Sequence, residues 1–467
     1  MPDLSLLLKR SYNPRMMKRV HLIAIGGAVM HYIALMLQRK GVHVSGSDDD
    51  IFEPSAGRLK QAGLFPDKLG WYPERIDQSL DAVILGMHAK ADNPELLRAK
   101  ELGVTVLSFP EFIYQQCLDK HRVVIGGSHG KTTITGMVAH VLKTLGRKFD
   151  YVLGAQVDGF EFMVKLEDDS PLIVIEGDEY PSSPLDPTPK FLHYHHHIGV
   201  ISGIAWDHIN AYPNVDVYVQ QFDKFADSTP KGGSLIFTED DDFATIVGRK
   251  EREDVQAIEY GLPKYQIRQG VTFLMHKNGE VALNVFGKHN LRNIECARQV
   301  CTRIGVKEED FYKAISSYKG AKNRLEKVNG TPLIFRDFAH APSKVRATVQ
   351  AVREQFPDQK LIACLELHTY SSLNRQFIQE YLGSLQEADV ALVYFDPHTL
   401  EIKKLPPLTN EEVIKAFGRA DMSVFDSADL LFEKIKELSQ SEAVILMMSS
   451  GSFNGKSLTE LSGGSRN

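Results

Sequence analysis

Gly127-Ser128-His129-Gly130-Lys131-Thr132-Thr133 sets two glycines, a lysine and two threonines in one short run. An apolar stretch at Val123–Ile125 leads into it, and a helical pattern follows from Thr132. Backbone N–H groups in such a loop converge on phosphate oxygens, and the helix N-terminus adds a favourable dipole. Lys131 supplies a point charge, and the Thr132 hydroxyl suits Mg²⁺. The strict pattern G-x-x-x-x-G-K-[ST] is not met, because Ile125 occupies its first glycine position. The lysine is expected in a solvated loop, so its loss should cost little stability. Glu176-Gly177-Asp178-Glu179-Tyr180 closes a second apolar run, Pro171–Ile175. A carboxylate at a strand end beside a phosphate loop is well placed for a divalent cation. His193, His195, His196 and His197 make a further cluster. Strand alternation turns His196 away from the other three, so the cluster reads as structural.

These residues need strands that end at a common edge. Lys18–Ile25 is apolar and stops at Gly26-Gly27; a helical segment and a second strand ending in Ser47-Asp48 follow. This is the start of a parallel α/β sheet. A second unit begins at Arg122, with strands at Val123–Ile125, Pro171–Ile175 and Ile198–Ile204. Ser234–Phe237 and Val271–Val285 read as shorter antiparallel pieces. A third unit begins near 327. There Val345, Val349, Val352 and Phe356 lie on one face of a helix, and later strands fall at Leu361–Leu365, Val390–Phe395 and Val444–Met448. The expectation is three α/β domains, at 18–116, 117–326 and 327–467, after an N-terminal extension at 1–17.

Bulk composition narrows the function. The chain has 467 residues with net charge -6, which disfavours a nucleic-acid partner. No run approaches the length of a membrane span, and the short apolar run Leu4–Leu8 is not a signal-peptide core. Cys117, Cys296, Cys301 and Cys364 form no CxxC pair, which fits a reducing cytoplasm.

The shortened phosphate loop, G-[ST]-x-G-K-[ST]-[ST], resembles that of the Mur ligases, and the family's other motifs follow in order. Glu176-Gly177-Asp178-Glu179 resembles the E-A-D-E segment, which implies Glu176 as a metal ligand with Thr132. Asp207-His208 resembles a D-H pair whose histidine helps hold a second metal ion. Gly203 and Ala205 depart from the family just before it. Gly287-Lys288-His289-Asn290-Leu291-Arg292-Asn293 resembles G-x-H-N-x-x-N, which implies that Asn290 and Asn293 read the adenine edge. Asn323-Arg324-Leu325-Glu326 resembles the hinge segment whose arginine meets the γ-phosphate, with Asn323 where the family often has a second arginine. Asp337-Phe338-Ala339-His340 resembles a segment meeting ATP from the C-terminal domain. The turn Ala24-Ile25-Gly26-Gly27-Ala28-Val29-Met30, with Ser47 and Asp48, resembles the uridine-nucleotide site; Ala24 and Val29 replace two of its glycines.

The resemblance implies a Rossmann-like UDP-sugar domain, a central P-loop ATPase-like domain and a Rossmann-like C-terminal domain. It implies ATP and Mg²⁺ as cofactors, UDP-N-acetylmuramate as a substrate, and a peptide or amino-acid acceptor, with no membrane. Lys131, His208 and Arg324 become the catalytic residues. Residues from Gly127 to Thr133, Asn290, Asn293, Arg324 and Asp337 become ATP contacts; Gly26, Gly27, Ser47 and Asp48 become UDP-sugar contacts. Because the ATP contacts span two domains, the free protein is expected to be open. Glu176–Tyr194 resembles the murein peptide ligase branch, which takes the L-alanyl-γ-D-glutamyl-meso-diaminopimelate tripeptide in peptidoglycan recycling. His368-Thr369-Tyr370-Ser371-Ser372 is instead similar to a segment of the L-alanine-adding branch. A catalytically silent nucleotide-binding module is the alternative of another class.

Overall fold

Two short apolar runs, Val20–Ile23 and Ala82–Leu85, form the centre of the N-terminal sheet. Its strands β1 (Arg19–Ile23), β2 (His43–Ser47), β3 (Ala82–Leu85) and β4 (Val106–Ser108) are parallel, in the order β2-β1-β3-β4. Every residue of β3 is buried, as expected where helices cover both faces. The computed structural model describes residues 17–461, apart from His88, Pro184, 207–210, Asn329 and 440–441.

The central sheet has seven strands: β5 (His121–Gly126), β6 (Asp150–Val152), β7 (Val164–Lys165), β8 (Leu172–Glu176), then, after a hairpin of β9 (Pro181–Ser183) and β10 (Asp186–Pro189), β11 (Ile198–Ile201), β12 (Ser234–Thr238) and β13 (Gln256–Tyr260). Their order is β13-β12-β11-β5-β8-β6-β7, and only β7 runs antiparallel. β5 lies between β8 and β11, so its carboxyl end opens where the crossovers diverge, the usual ligand crevice of an α/β sheet. The expected antiparallel piece at Ser234–Phe237 is corrected here. β12 is a parallel interior strand with all five residues buried, so both faces are covered. Val271–Val285 does form antiparallel structure. β14 (Tyr265–Arg268), β15 (Val271–His276) and β16 (Gly279–Leu283) make a separate three-stranded sheet.

The last sheet contains β17 (Glu326–Val328), β18 (Leu333–Asp337), β19 (Leu361–Glu366), β20 (Val390–Tyr394), β21 (Ser423–Phe425) and β22 (Val444–Met448), in the order β17-β18-β22-β19-β20-β21. Val345, Val349 and Val352 are fully buried on the helix Pro342–Gln355. Phe356 ends that helix and packs on Phe286 and Phe335. Among the described residues no helix is long and apolar enough to cross a membrane.

Candidate active site

The phosphate loop leaves β5 and turns into the helix Lys131–Thr144 through two glycines with positive φ, Gly127 (+129°) and Gly130 (+76°). Space as well as conformation demands glycine. A Cβ at Gly127 would lie 2.3 Å from Ser202 Oγ, and one at Gly130 would lie 2.4 Å from Asn293 Oδ1. Ser128 N donates to Gly203 O (2.9 Å), while Ser128 Oγ accepts from Ala205 N (2.8 Å) and shares a hydrogen bond with Tyr218 Oη (2.8 Å). Gly203 and Ala205, the positions that depart from the family, therefore hold the loop through their backbones.

Lys131 is not solvated, which corrects the expectation above. Its side chain is 13% exposed, and Nζ lies 2.5 Å from Glu179 Oε2, a carboxylate with no exposed surface. Nζ also donates to Gly127 O. Burial by itself would lower the lysine pKa, but Glu179, Asp178 and Glu176 outweigh it and hold the pKa above the ordinary value. Tyr218 Oη donates to the other oxygen of Glu179 (3.2 Å), so one buried phenol touches both the loop and the partner of its lysine.

Glu176 ends β8 beside the loop. Its Oε1 accepts from Thr132 Oγ1 (2.8 Å); its Oε2 is buried and has no hydrogen-bond partner among the described residues. Burial raises its pKa, opposed chiefly by Lys131, then by Thr132 and Arg324. Gly154 makes room for the carboxylate: a Cβ there would fall 2.1 Å from both oxygens. A carboxylate with an open oxygen, next to a hydroxyl and a phosphate loop, fits Mg²⁺, which takes few protein ligands and completes its shell with phosphate and water. Among the described residues no three His, Cys, Asp or Glu converge on one point. Asp207 and His208 lie outside the described residues.

A cavity of about 560 Å³ collects most of the expected ATP contacts. Residues from Ser128 to Thr133 line it, with Glu176, Asn290, Asn293, Arg324 and Asp337. Gly127 is not among the residues that line it. Asn293 packs on Gly130, at the phosphate end, while Asn290 Nδ2 donates to Phe286 O (2.9 Å). Asp337 faces the cavity, yet its oxygens already accept Leu325 N (2.5 Å) and Ala339 N (2.7 Å). Burial raises this carboxyl's pKa, against the pull of Arg324 and those two amides. Its carboxylate thus pins the hinge. Asn323 (φ +59°) and Leu325 (φ +48°) flank Arg324 in the left-handed region, and the Arg324 guanidinium sits 4.5 Å above the Phe338 ring. Asparagine adopts that conformation more readily than arginine would, which accounts for the departure at Asn323.

The expected open form is not what the structure shows. His129 Nε2 and Ser343 Oγ meet at 3.1 Å across the cavity. The helix Pro342–Gln355 is held to the central region by Tyr265 Oη with Glu354 Oε1 (2.6 Å) and Thr272 Oγ1 with Gln355 Oε1 (2.8 Å).

The residues expected to hold the UDP-sugar come together elsewhere. Gly26 N donates to Asp48 Oδ2 (2.8 Å), and Arg75 Nη1 donates to Ser47 Oγ (2.9 Å). Burial lifts Asp48 to about 6; the Gly26 amide works against this and Asp49 adds to it. None of these residues, nor Gly27, lines the cavity beside the phosphate loop. The histidine cluster has separate duties: His193 pairs with Asp186, His196 Nε2 meets Thr229 Oγ1 (2.8 Å), and His197 Nδ1 accepts Arg122 N (3.0 Å).

Burial is the main force depressing His196, to about 3; it also depresses His197 and His289, each to about 4. The folded protein thus binds fewer protons than the unfolded chain, whose histidines titrate near 6.5. The sign follows: the stabilisation is full above pH 6.5 and is lost as pH falls toward 3–4. Melting temperatures across pH 7 to 4 are expected to fall less steeply in His196→Gln than in wild type.

Reasoning from sequence did not single out Tyr218, Ser202, Gly154 or the Arg292–Asp240 ion pair on the cavity wall. Tyr218 sits on the buried face of the helix Val215–Asp227, where a functional tyrosine and a core one look alike.

Three family models match: Mur ligase family, catalytic domain, over 19–121; Mur ligase middle domain over 125–301; and Mur ligase, glutamate ligase domain, over 323–451. A UDP-N-acetylmuramate–L-alanine ligase of Lactobacillus delbrueckii subsp. bulgaricus is 30% identical over 80% of this chain and 84% of its own. The chain belongs to the Mur ligase family. It is, like other Mur ligases, an ATP-dependent enzyme that forms amide bonds. A UDP-N-acetylmuramate–L-alanyl-γ-D-glutamyl-meso-2,6-diaminoheptandioate ligase of Haemophilus influenzae is 28% identical over 94% of this chain and 97% of its own. Two solved structures share the fold. One is a UDP-N-acetylmuramate–alanine ligase from Thermotoga maritima, with TM-score 0.70 and 23% identity over 94% of this Mur ligase and 97% of that chain. The other is a murein peptide ligase from Psychrobacter arcticus, with TM-score 0.65 at the same identity and coverage.

Proposed function

We propose that this Mur ligase joins the lactyl carboxylate of UDP-N-acetylmuramate to the amino group of L-alanyl-γ-D-glutamyl-meso-diaminopimelate, using ATP and Mg²⁺. The observation that carries this reading is the stretch from Glu176 to Tyr194. Its E-G-D-E-Y and K-F-x-H-Y ends are joined by the β9–β10 hairpin into one unit at the cavity edge. Lys190 Nζ meets Asp178 Oδ2 (2.5 Å), and Phe191 N donates to Asp178 O (3.1 Å). Asp178 itself lines the cavity. Asp178 thus ties the K-F-x-H-Y end, which resembles the tripeptide branch, to the acidic segment beside the phosphate loop.

The chemistry runs in two balanced steps. The lactyl carboxylate oxygen attacks the γ-phosphorus of ATP, and ADP leaves. The acceptor amine then attacks the acyl carbon, phosphate leaves, and the amine proton passes to solvent. Lys131 and Arg324 offset negative charge on the moving phosphoryl group, and loop amides orient it. Glu176 and Thr132 hold Mg²⁺, which supplies further charge neutralisation.

Phosphate release with UDP-N-acetylmuramate, ATP and each acceptor tests the reading. Release with the tripeptide and not with L-alanine supports it. Release with L-alanine alone establishes the L-alanine ligase reading, which the Tyr370-Ser371 segment after β19 favours. Release with neither acceptor sinks both. Glu176→Gln is expected to raise the Mg²⁺ concentration for half-maximal rate by at least about tenfold, with part of the rate recovered at high Mg²⁺. A Mg²⁺ titration matching wild type would remove Glu176 as a ligand.

A further inference from the structure

A line of hydrogen bonds leads from the Gly26-Gly27 turn to the hinge. His31 Nδ1 lies 2.9 Å from Gly27 O, and His31 Nε2 lies 3.3 Å from Arg58 Nη1. Arg58 Nη2 donates to Gln156 Oε1 (3.2 Å), which crosses from the N-terminal sheet's region to the loop after β6. The backbone carbonyl of Gln156 then accepts Lys322 N (2.9 Å), immediately before Asn323 and Arg324. An isolated bridge pairs Val157 with Ala321 beside it, and Gln156 Nε2 donates to Phe160 O (3.0 Å). The same loop contains Gly154, against the Glu176 carboxylate.

We propose that Gln156 is the joint through which occupancy of the sugar-nucleotide turn sets the hinge arginine, with His31 and Arg58 as the connecting positioning residues. The inference rests on the reading that the turn takes a UDP-sugar. The donors and acceptors fix the direction of each link, and Ser55 Oγ also lies 3.1 Å from His31 Nδ1. His31, buried, donates from Nδ1 to Gly27 O and so presents Nε2 as an acceptor to Arg58. Burial, with Arg58 nearby, keeps the imidazole below its ordinary pKa and therefore neutral, as this tautomer requires. Arg58 spends one fork on His31 and the other on Gln156, so a turn fixed by ligand fixes Arg58 across the boundary. The Gln156 side chain carries the message in and its main chain carries it out. A loop that touches Glu176 and Lys322 at once aligns the metal carboxylate with Arg324.

Binding of a non-hydrolysable ATP analogue, with and without UDP-N-acetylmuramate, tests the joint. In wild type the sugar nucleotide is expected to tighten the analogue at least about fivefold. In Gln156→Ala and Arg58→Met that ratio is expected to fall below about twofold, with each ligand alone bound within about threefold of wild type and melting temperature little changed. Gln156→Glu, which keeps an acceptor for Arg58, should retain the ratio. A wild-type ratio in Arg58→Met, or no ratio in wild type that binds both ligands, would overturn the proposal. Failure of wild type to bind UDP-N-acetylmuramate at all would overturn the substrate reading instead. Hydrogen exchange then decides the joint by itself: amides at 322–325 should exchange faster in Arg58→Met, and unchanged exchange would overturn it.

Discussion

Lys131→Ala is expected to lower ATP-dependent amide formation by roughly 10²–10³-fold and to lower the melting temperature as well. The first effect follows from the loop. Lys131 is the cation at the start of the phosphate-loop helix, inside the cavity that Arg324 and Glu176 share. The second follows from Glu179. Its carboxylate has no exposed surface and lies 2.5 Å from Nζ, so alanine removes the adjacent cation from a buried anion. Breaking a buried pair from one side costs about 3 kcal/mol or more. The two effects separate in a double variant. Lys131→Ala with Glu179→Gln removes the buried charge, while Tyr218 Oη can still donate to the amide oxygen. It should melt above the single variant and remain as inactive. Thermal denaturation and phosphate release on the three proteins decide it. If the single variant melts with wild type, Glu179 does not depend on Lys131. If it turns over near the wild-type rate, the phosphate-loop assignment is wrong.

What could be read before folding was what lies close along the chain. The strand, loop, lysine and helix of residues 123–144 are contiguous, and so is the apolar run that delivers Glu176. Their chemistry is legible because backbone amides and one strand end do the positioning. At Ser234–Phe237 an apolar run as short as Leu235-Ile236-Phe237 is compatible with either strand direction; only the neighbours β11 and β13 decide it. Asp337 shows a different limit. Its place in a motif marked it as important, but not that its carboxylate would be spent on Leu325 N and Ala339 N. Lys131 reads as solvated because loops usually are, and nothing local in the sequence places Glu179 under it. Tyr218, Gln156 and Asp240 carry no local signature. Each acquires its role from a partner tens of residues away, and such pairings exist only once the sheets are assembled.

The same non-local logic governs the linker between the first two sheets and leads to the other large effect. Lys120 and Asp150 form an ion pair at 2.9 Å with side chains 1% and 0% exposed. Lys120 Nζ also donates to Ser170 O (3.0 Å), and Glu167 N donates to Asp150 at 3.0 Å. Beside them Arg122 closes the end of the preceding helix, donating to Cys117 O (3.1 Å) and Lys120 O (3.0 Å). Lys120→Met removes the cation and keeps much of the volume. It is expected to cost about 3–5 kcal/mol, because the carboxylate remains buried. Burial already raises the Asp150 pKa despite Lys120, and without the lysine the pKa must rise further. The sign is then fixed. An acid whose folded pKa exceeds its unfolded value binds more protons when folded, so its contribution is most favourable at low pH and declines as pH rises through the folded pKa. The gap between Lys120→Met and wild type should therefore widen as pH rises. Adding Asp150→Asn, which deletes the charge and keeps an acceptor for Glu167 N, should restore part of the loss and flatten its pH dependence. Urea denaturation of the three proteins at pH 5.5 and 8 measures both. A pH-independent gap between Lys120→Met and wild type would mean that Asp150 does not carry the cost, and that the lost contacts to the Ser170 and Glu167 carbonyls do.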